Sequence, residues 1–291
     1  MNIYTNFLVV LIPNIVFNYI NYCYLHIKCN LPFPRIRFTN PRRFNHKIIW
    51  LKRNYRHPNA SLYVDKILVK LVISKLIDNV HIIETLGVWE NADDINYDLL
   101  PKSFIIKTNH ASGQNIIIKN KYDFDKKIVN LTLNRWLKLN YSTLGKEYQY
   151  KKIRPLILVE PLINGQDDAP LNDYKFYCFN GNPMYVQVDF DRFTEHTRNF
   201  YDMNWNFQNF SILYPNNKKF IEKPINFDKM IEIAQKLSQG FPFIRVDLYS
   251  YGNKVYFGEL TFHPEGGFGP VFPDKYDYIL GDKLRLPQIS N

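Results

Sequence analysis

Two kinds of apolar spacing run along this chain, and the switches between them outline its elements. Strand-type runs are SFIIKT and NIIIKN on either side of NHASGQ, then PLILVEPLI, then DYKFYCFNGNPMYVQVD, where Asn180-Gly181 reads as a hairpin turn. Alternation returns between residues 243 and 261, FIRVDLYSYGNKVYFGELT. Spacings of three and four predict a helix over Ser61–Ile77, capped by Ser61 with Asp65 in its first turns. They predict another over Asp123–Asn140, with Ile128, Leu131, Trp136 and Leu137 near one face, and a third over 227–240, with Asn226 as cap and Gly240 as stop. The apolar, aromatic N-terminus predicts a helix packed on the body, and the Pro- and Arg-rich stretch 30–45 an extended connector. RFTEHTRNFYDMNW (192–205) reads as irregular. Helices alternating with antiparallel hairpins give an α+β fold rather than a doubly wound parallel sheet.

Charges placed inside strands carry the candidate chemistry. Side chains alternate faces, so Arg245 and Asp247 share one side of their strand, as Glu259 and Thr261 do of theirs. A three-residue loop of Gly252, Asn253 and Lys254 sets Tyr251 against Val255, Asp247 against Glu259 and Arg245 against Thr261, with opposed Cβ atoms about 5 Å apart. Two carboxylates that close need a positive partner, either a hard cation or Arg245 itself on a solvated face. Lys107 ends a strand just before the Ser112-Gly113 turn, an arrangement suited to phosphate oxygens and equally to an ordinary hairpin surface. Glu160 interrupts an apolar strand and so requires a hydroxyl, an N–H or a cation. Lys175 shares a face with Asp173, which a salt bridge explains, while Asp191, Arg192, His196 and Arg198 form a polar loop cluster in which His196 reads as a hydrogen-bonding residue. Neither GxxxxGK[ST] nor GxGxxG occurs, so neither a Walker loop nor a Rossmann fingerprint is supported.

Composition narrows the partners. With 291 residues, 46% hydrophobic and 22% charged, the chain has the make-up of a folded protein of two or more subdomains. Lys and Arg outnumber Asp and Glu by 37 to 27, which favours anionic partners. The basic residues are spread along the chain rather than gathered in one recognition element, which argues against nucleic acid. Cys23, Cys29 and Cys178 form neither a zinc pattern nor a disulfide framework, which fits a reducing, cytoplasmic setting. No basic start or small-residue cleavage site marks a signal peptide, and the run Phe7–Ile12 is too short to span a bilayer. Peripheral attachment to the inner face of the cell membrane stays open.

Eight blocks in order resemble one known family: VDK (64–66), ETLGVW (84–89), FIIKTNHASG (104–113), LVEPLI (158–163), DYKFYCFNG (173–181), DRFTEHTRNFYDMNW (191–205), LSQGFPFIRVDLY (237–249) and YFGELTFHPEGGFGP (256–270). Together they resemble the TupA-like ATP-grasp family, named for teichuronopeptide synthesis and commonly encoded with surface-polysaccharide enzymes. The resemblance implies two α+β subdomains clasping ATP, over 61–155 and 156–291, after an N-terminal helical segment 1–60. It implies an ATP- and Mg2+-dependent carboxylate–amine ligase acting through an acyl-phosphate. By the same resemblance Lys66 and Lys107 contact ATP phosphates, and His110 to Gln114, with Ser112 and Gly113, forms the lid. Glu160, Pro161, Leu162 and Ile163 form the adenine hinge. Asp247 and Glu259 bind magnesium, and Arg245 steadies the acyl-phosphate. Thr261, a weaker oxygen ligand, stands where many ATP-grasp enzymes carry Asn, which leaves the metal count open. Lys175 joins Arg245 and Lys107 as a candidate catalytic residue. Asp173, Arg192, His196 and Arg198 are candidates for an acidic sugar of a capsule or O-antigen precursor, with an amino acid or other amine as co-substrate. The competing reading is a glycosyltransferase-associated or non-catalytic polysaccharide-binding protein, against which stands the absence of a clear DxD-type nucleotide-sugar site.

Overall fold

A computed structural model describes residues 13–29, 39–163, 171–191, 194–217, 219 and 221–288; Arg192, the run Phe7–Ile12 and residues 30–38 of the connector lie outside these. The chain divides into two compact units, one continuous (Pro58–Leu171) and one assembled from Met1–His57 and Asn172–Asn291. This differs from boundaries at 60 and 155. The N-terminal helices share a core with the C-terminal strands, and Ile157–Pro161 belongs to the middle unit because it hydrogen-bonds to Phe104–Thr108.

The chain begins with α1 (Asn14–Lys28) and α2 (Phe44–Asn54). The middle unit then opens on α3 (Ala60–Val64) and α4 (Leu68–Leu76), where the sequence predicts a single helix. The break falls at Asp65, whose Oδ1 accepts from the N–H groups of Ile67 and Leu68 and so starts a second helix rather than continuing the first. Ser61 donates instead to the carbonyl of Gln149. After the short β1 (His81–Ile82) come β2 (Gly87–Trp89), β3 (Phe104–Thr108), β4 (Asn115–Ile118) and, beyond α5 (Lys126–Leu137) and α6 (Tyr141–Leu144), β5 (Ile157–Pro161). β2, β5, β3 and β4 form an antiparallel sheet in that order. Its Phe104, Ile106, Ile157 and Val159 face α5. α5 presents Val129, Leu133, Trp136 and Leu137, while Ile128 and Leu131 are 62% and 63% exposed. The inward stripe thus starts one residue later than the sequence reading placed it. Asp125 Oδ1 caps the helix through Ile128 N–H.

In the discontinuous unit β6 (Asp173–Phe179), β7 (Asn182–Phe190), β8 (Thr197–Asp202), β9 (Phe207–Gln208), β11 (Phe243–Tyr251) and β12 (Lys254–Thr261) lie antiparallel in the order β12-β11-β6-β7-β8-β9. β10 (Ser211–Ile212) pairs separately with β13 (Val271–Phe272). The β6–β7 turn places Asn180 and Gly181 at φ 50° and 82°, the left-handed pair an Asn-Gly hairpin needs. One sheet face packs on α7 (Phe227–Leu237), with Phe227 stacked on Phe176. The other face is graded along its strands. At one end Phe179, Phe243 and Tyr177 pack with Phe44 of α2, ring centroids 5.2 to 6.2 Å apart, and with Leu280 of α8 (Lys275–Lys283). At the other end the same alternation places Asp173, Lys175, Arg245 and Asp247. α1 packs Tyr22 against Ile49 and Phe268, and no helix among the described residues is long and apolar enough to cross a membrane.

Candidate active site

The β11–β12 hairpin arrives at the expected pairing by a different route. Its loop has two residues, Gly252 and Asn253, with Tyr251 opposite Lys254. A bulge at Gly258 supplies the missing offset, so Asp247 still faces Glu259 and Arg245 still faces Thr261. Any Cβ at Gly258 would stand 2.9 Å from the Asp247 carbonyl oxygen, which restricts the bulge to glycine.

Here the cation between the acids is Arg245. Its Nε and Nη2 each donate to Asp247 at 2.7 Å, and Nη2 also reaches Glu259 Oε1 and Thr261 Oγ1 at 3.1 Å. Thr261 Oγ1 donates to Glu259 Oε1 as well. Burial and the neighbouring Glu259 push the Asp247 carboxyl up against the pull of Arg245; the carboxylate partners in turn raise Arg245 well above its ordinary range, against its own burial. Among the described residues no group of three or more His, Cys, Asp or Glu side chains could hold a metal. The donors are nonetheless hard oxygens already gathered on a positive charge, and the Glu259 side chain is 43% exposed. They fit a magnesium ion shared with a triphosphate, which binds through one or two carboxylates plus phosphate oxygens, and do not make a self-sufficient protein cage.

Across the sheet Asp247 neighbours Lys175, and Lys175 neighbours Gln187. Lys175 Nζ is ion-paired to Asp189 at 2.5 Å and to Asp173 at 3.2 Å. Asp189 also receives Arg198 Nε at 2.6 Å, both Gln187 contacts at 3.0 and 3.1 Å, and His196 Nε2 at 3.2 Å. Burial opposes its charge, but His196 and Arg198 outweigh that and hold its carboxyl below the ordinary range. Arg198 completes its contacts on the Ile212 carbonyl and Glu265 Oε1, both at 3.0 Å. It lies on β8 within the stretch read as irregular, because its charge occupies an inward position of the strand and hides the period. Asp173 holds Tyr249, whose hydroxyl its charge pushes far up.

The middle unit shows the inverse charge order. Glu160 Oε1 meets Lys70 and Oε2 meets Lys107, each at 2.5 Å. Burial opposes the Glu160 charge; the two lysines overcome it and lower its pKa. Lys70 further donates to Thr85 Oγ1 at 2.6 Å and the Ile83 carbonyl at 2.8 Å, and burial lowers its pKa. Lys66 does not join them, since its Nζ donates to the Ala111 carbonyl, bracing the β3–β4 loop. In that loop Ser112 and Gly113 are exposed, with Gly113 at φ 73°. His110 is buried with neither ring nitrogen hydrogen-bonded to a described residue, and burial lowers its pKa, so it lies beneath the loop rather than at its tip. Pro161 ends β5, and Leu162 and Ile163 follow it, half-buried and outside regular structure.

Lys70, Gln187, Asp189, Tyr249 and Glu265 escaped the sequence reading. Asp189 was legible: it keeps parity with Gln187, the partner of Lys175, whereas Asp191 beyond it is exposed. Lys70 sits in LVKLVISKL as any solvent-facing helix lysine would.

Two units of antiparallel sheet and helix, each carrying a buried cluster of alternating charge, define an α+β protein of the ATP-grasp type. Residues 46–285 match the family model described as TupA-like ATPgrasp, and the chain belongs to the TupA-like ATP-grasp family. Among solved structures, it is similar to D-alanine–D-alanine ligase from Bacillus anthracis (TM-score 0.41, 17% identity, 69% of this chain and 57% of that one). It is also similar to the Helicobacter pylori ligase of the same name (0.42, 17%, 83% and 69%). A third is the ATP-grasp ligase PsnB complexed with minimal precursor, Mg and ADP (0.40, 11%, 83% and 66%). The chain thus spans less than two thirds of the first and third of these. No curated protein matches the sequence.

Proposed function

We propose that this protein is an ATP-dependent ligase that joins a carboxylate to an amine through an acyl-phosphate. The observation that carries the reading is the Asp247–Arg245–Glu259 cluster with Thr261 on adjacent strands. A carboxylate is a poor acylating agent. Its oxygen attacks the γ-phosphorus of ATP and the bond to ADP breaks; the amine then attacks the acyl carbon, phosphate leaves with the C–O bond pair, and the amine loses a proton. Magnesium, held by Asp247 and Glu259 with phosphate oxygens, would lower the repulsion between these anions. In this reading Arg245 stays beside the reacting carboxylate as charge develops, and Lys70 and Lys107 bind phosphate oxygens once Glu160 shares them. Lys175, held by Asp173 and Asp189, supplies a fixed positive charge beside Asp247. Ser112 and Gly113, exposed on the β3–β4 loop, suit a lid that keeps water from the acyl-phosphate. Pro161 to Ile163 offer backbone groups for an adenine edge.

The excess of basic residues suits an acidic substrate, and we take that acid to be a hexuronic acid of a capsule or O-antigen, as the sequence resemblance implies. To test this, purified protein is given ATP, magnesium, uronic acids and an amine panel; ADP and phosphate are expected only when acid and amine are both present. No release with any pairing overturns the ligase reading. Asp247→Asn is expected to lower turnover by about 100-fold or more. Stabilisation by a UDP-sugar but not by Mg-ATP in a thermal shift would favour the polysaccharide-binding alternative.

A further inference from the structure

The helix α1 packs with its polarity reversed. Val16, Ile20, Tyr24 and Ile27 recur at intervals of four, four and three, with Tyr19 beside them, so the five share one face, and each is between 43% and 60% exposed. The inward face carries polar groups. Asn18 is fully buried with neither Oδ1 nor Nδ2 hydrogen-bonded to a described residue, and His26 is buried with Nδ1 at 2.9 Å from the Tyr22 carbonyl. Tyr22, on this same side, packs against Ile49 and Phe268. In water a helix gains by the opposite rotation, since exposed apolar area and a buried, unpaired amide both cost free energy. The arrangement suits a helix whose outer face meets an apolar medium.

Charge along the chain indicates which medium. Lys and Arg are spread throughout, but Asp and Glu are not: nine of the 37 basic residues and none of the 27 acidic ones lie in residues 1–57, the first of the two stretches that build this unit. The first acid in the chain is Asp65. Part of this basic charge is used internally, since Arg43 meets Asp274 and Asp277. Lys28, in the last turn of α1, and Arg42, just before α2, are exposed. A second copy of the chain is a poor cover for the stripe, because it would bring two such acid-free stretches together. An anionic bilayer surface satisfies both features: tyrosine and aliphatic side chains enter at the level of the headgroups, whose phosphates draw Lys and Arg. With 15 residues α1 is too short to cross the bilayer and would lie in its surface plane.

We infer that α1 is a membrane-docking element that seats Val16, Tyr19, Ile20, Tyr24 and Ile27 on the surface of an anionic phospholipid bilayer, aided by Lys28 and Arg42. This is independent of the ligase reading. The experiment is co-sedimentation of the full-length protein with vesicles of phosphatidylcholine alone and of equal parts phosphatidylcholine and phosphatidylglycerol. Wild type is expected to bind the anionic vesicles about tenfold more tightly than the neutral ones, and less tightly as salt rises. A variant combining Tyr19→Ser, Ile20→Ser and Tyr24→Ser is expected to bind about tenfold more weakly than wild type, with a melting temperature within about 2 °C of it, because all three side chains face outward. Should that variant lose its melting transition, Tyr24→Ser alone supplies the test, with a loss of about threefold expected. Lys28→Glu combined with Arg42→Glu is expected to lower the preference for anionic vesicles and leave binding to neutral ones unchanged. No binding of wild type to anionic vesicles, equal binding to the two compositions, or undiminished binding by the folded serine variants overturns the inference. So does a wild-type dimer in size-exclusion chromatography that the serine variants convert to a monomer, which would assign the stripe to a second copy of the chain.

Discussion

The two units carry mirror-image charge clusters. In the middle unit an acid lies between two cations, Lys70–Glu160–Lys107; in the discontinuous unit a cation lies between two acids, Asp247–Arg245–Glu259. The first carries excess positive charge and the second excess negative charge, so the first suits an anion such as a phosphate and the second a metal cation. In each, the central side chain occupies the place of the charge the proposed ligand would bring. Burial explains why a stand-in is needed: like charges confined out of water repel strongly, and the folded protein tolerates them only around a counter-charge.

The comparison breaks most severely at Arg245. Arg245→Ala leaves the buried Asp247 without its two 2.7 Å partners and is expected to cost about 3–5 kcal/mol in urea denaturation, with ADP release abolished. A loss under about 1 kcal/mol would show that the cluster is relaxed rather than held by the guanidinium. Glu160→Gln should cost less, roughly 2 kcal/mol, because Lys70 and Lys107 are more accessible than Asp247. It should also tighten tripolyphosphate binding several-fold, by freeing both lysines for the anion; weaker binding would mean that Glu160 positions them rather than stands in.

The smallest net effect comes from two buried groups of opposite sense, where the apolar part of the discontinuous unit meets α8. Asp277 accepts from the Asn45 N–H at the start of α2, and burial pushes its carboxyl up to about 6. Between about pH 4 and 6 the folded state therefore binds more protons there than the unfolded state, and stability falls as pH rises. Burial lowers the His46 imidazole to about 4, so over nearly the same window the unfolded state binds the extra proton and stability rises with pH. Each effect spans roughly 3 kcal/mol, and the two nearly cancel. Relative to wild type, Asp277→Asn should make stability rise more steeply from about pH 4 to 6 and His46→Asn should make it rise less steeply, as followed by denaturant midpoints. Parallel curves in the two variants would sink this account.

How much of this was legible follows from what each residue answers to. Strand alternation and the Asn180-Gly181 turn are local, and they gave the hairpins and the α+β class. The Asp247–Glu259 pairing was reached with a three-residue loop, while the chain uses a two-residue loop and a bulge at Gly258; both displace the second strand by one residue. The break at Asp65 was hidden because an acid in a first turn and an acid that starts a new turn look alike until its hydrogen bonds are drawn. Arg198 was identified as a site residue, but not its orientation, since only the fold reveals that Asp189 and Glu265 absorb its charge. Lys70 and Glu265 depend on partners about 65 to 90 residues away, a distance over which no local pattern speaks.

The continuous unit is an insertion: residues 58–171 interrupt a unit whose two parts flank them. As the ribosome delivers the chain, Phe44, Ile48 and Leu51 emerge early, yet the Val271, Leu280 and Leu284 they pack against come some 240 residues later. At roughly 5–20 residues per second that is a delay of about 12 to 48 s. The inserted unit draws its core from its own stretch of chain and is free to mature first, while α2 is synthesised well before the helix it packs against.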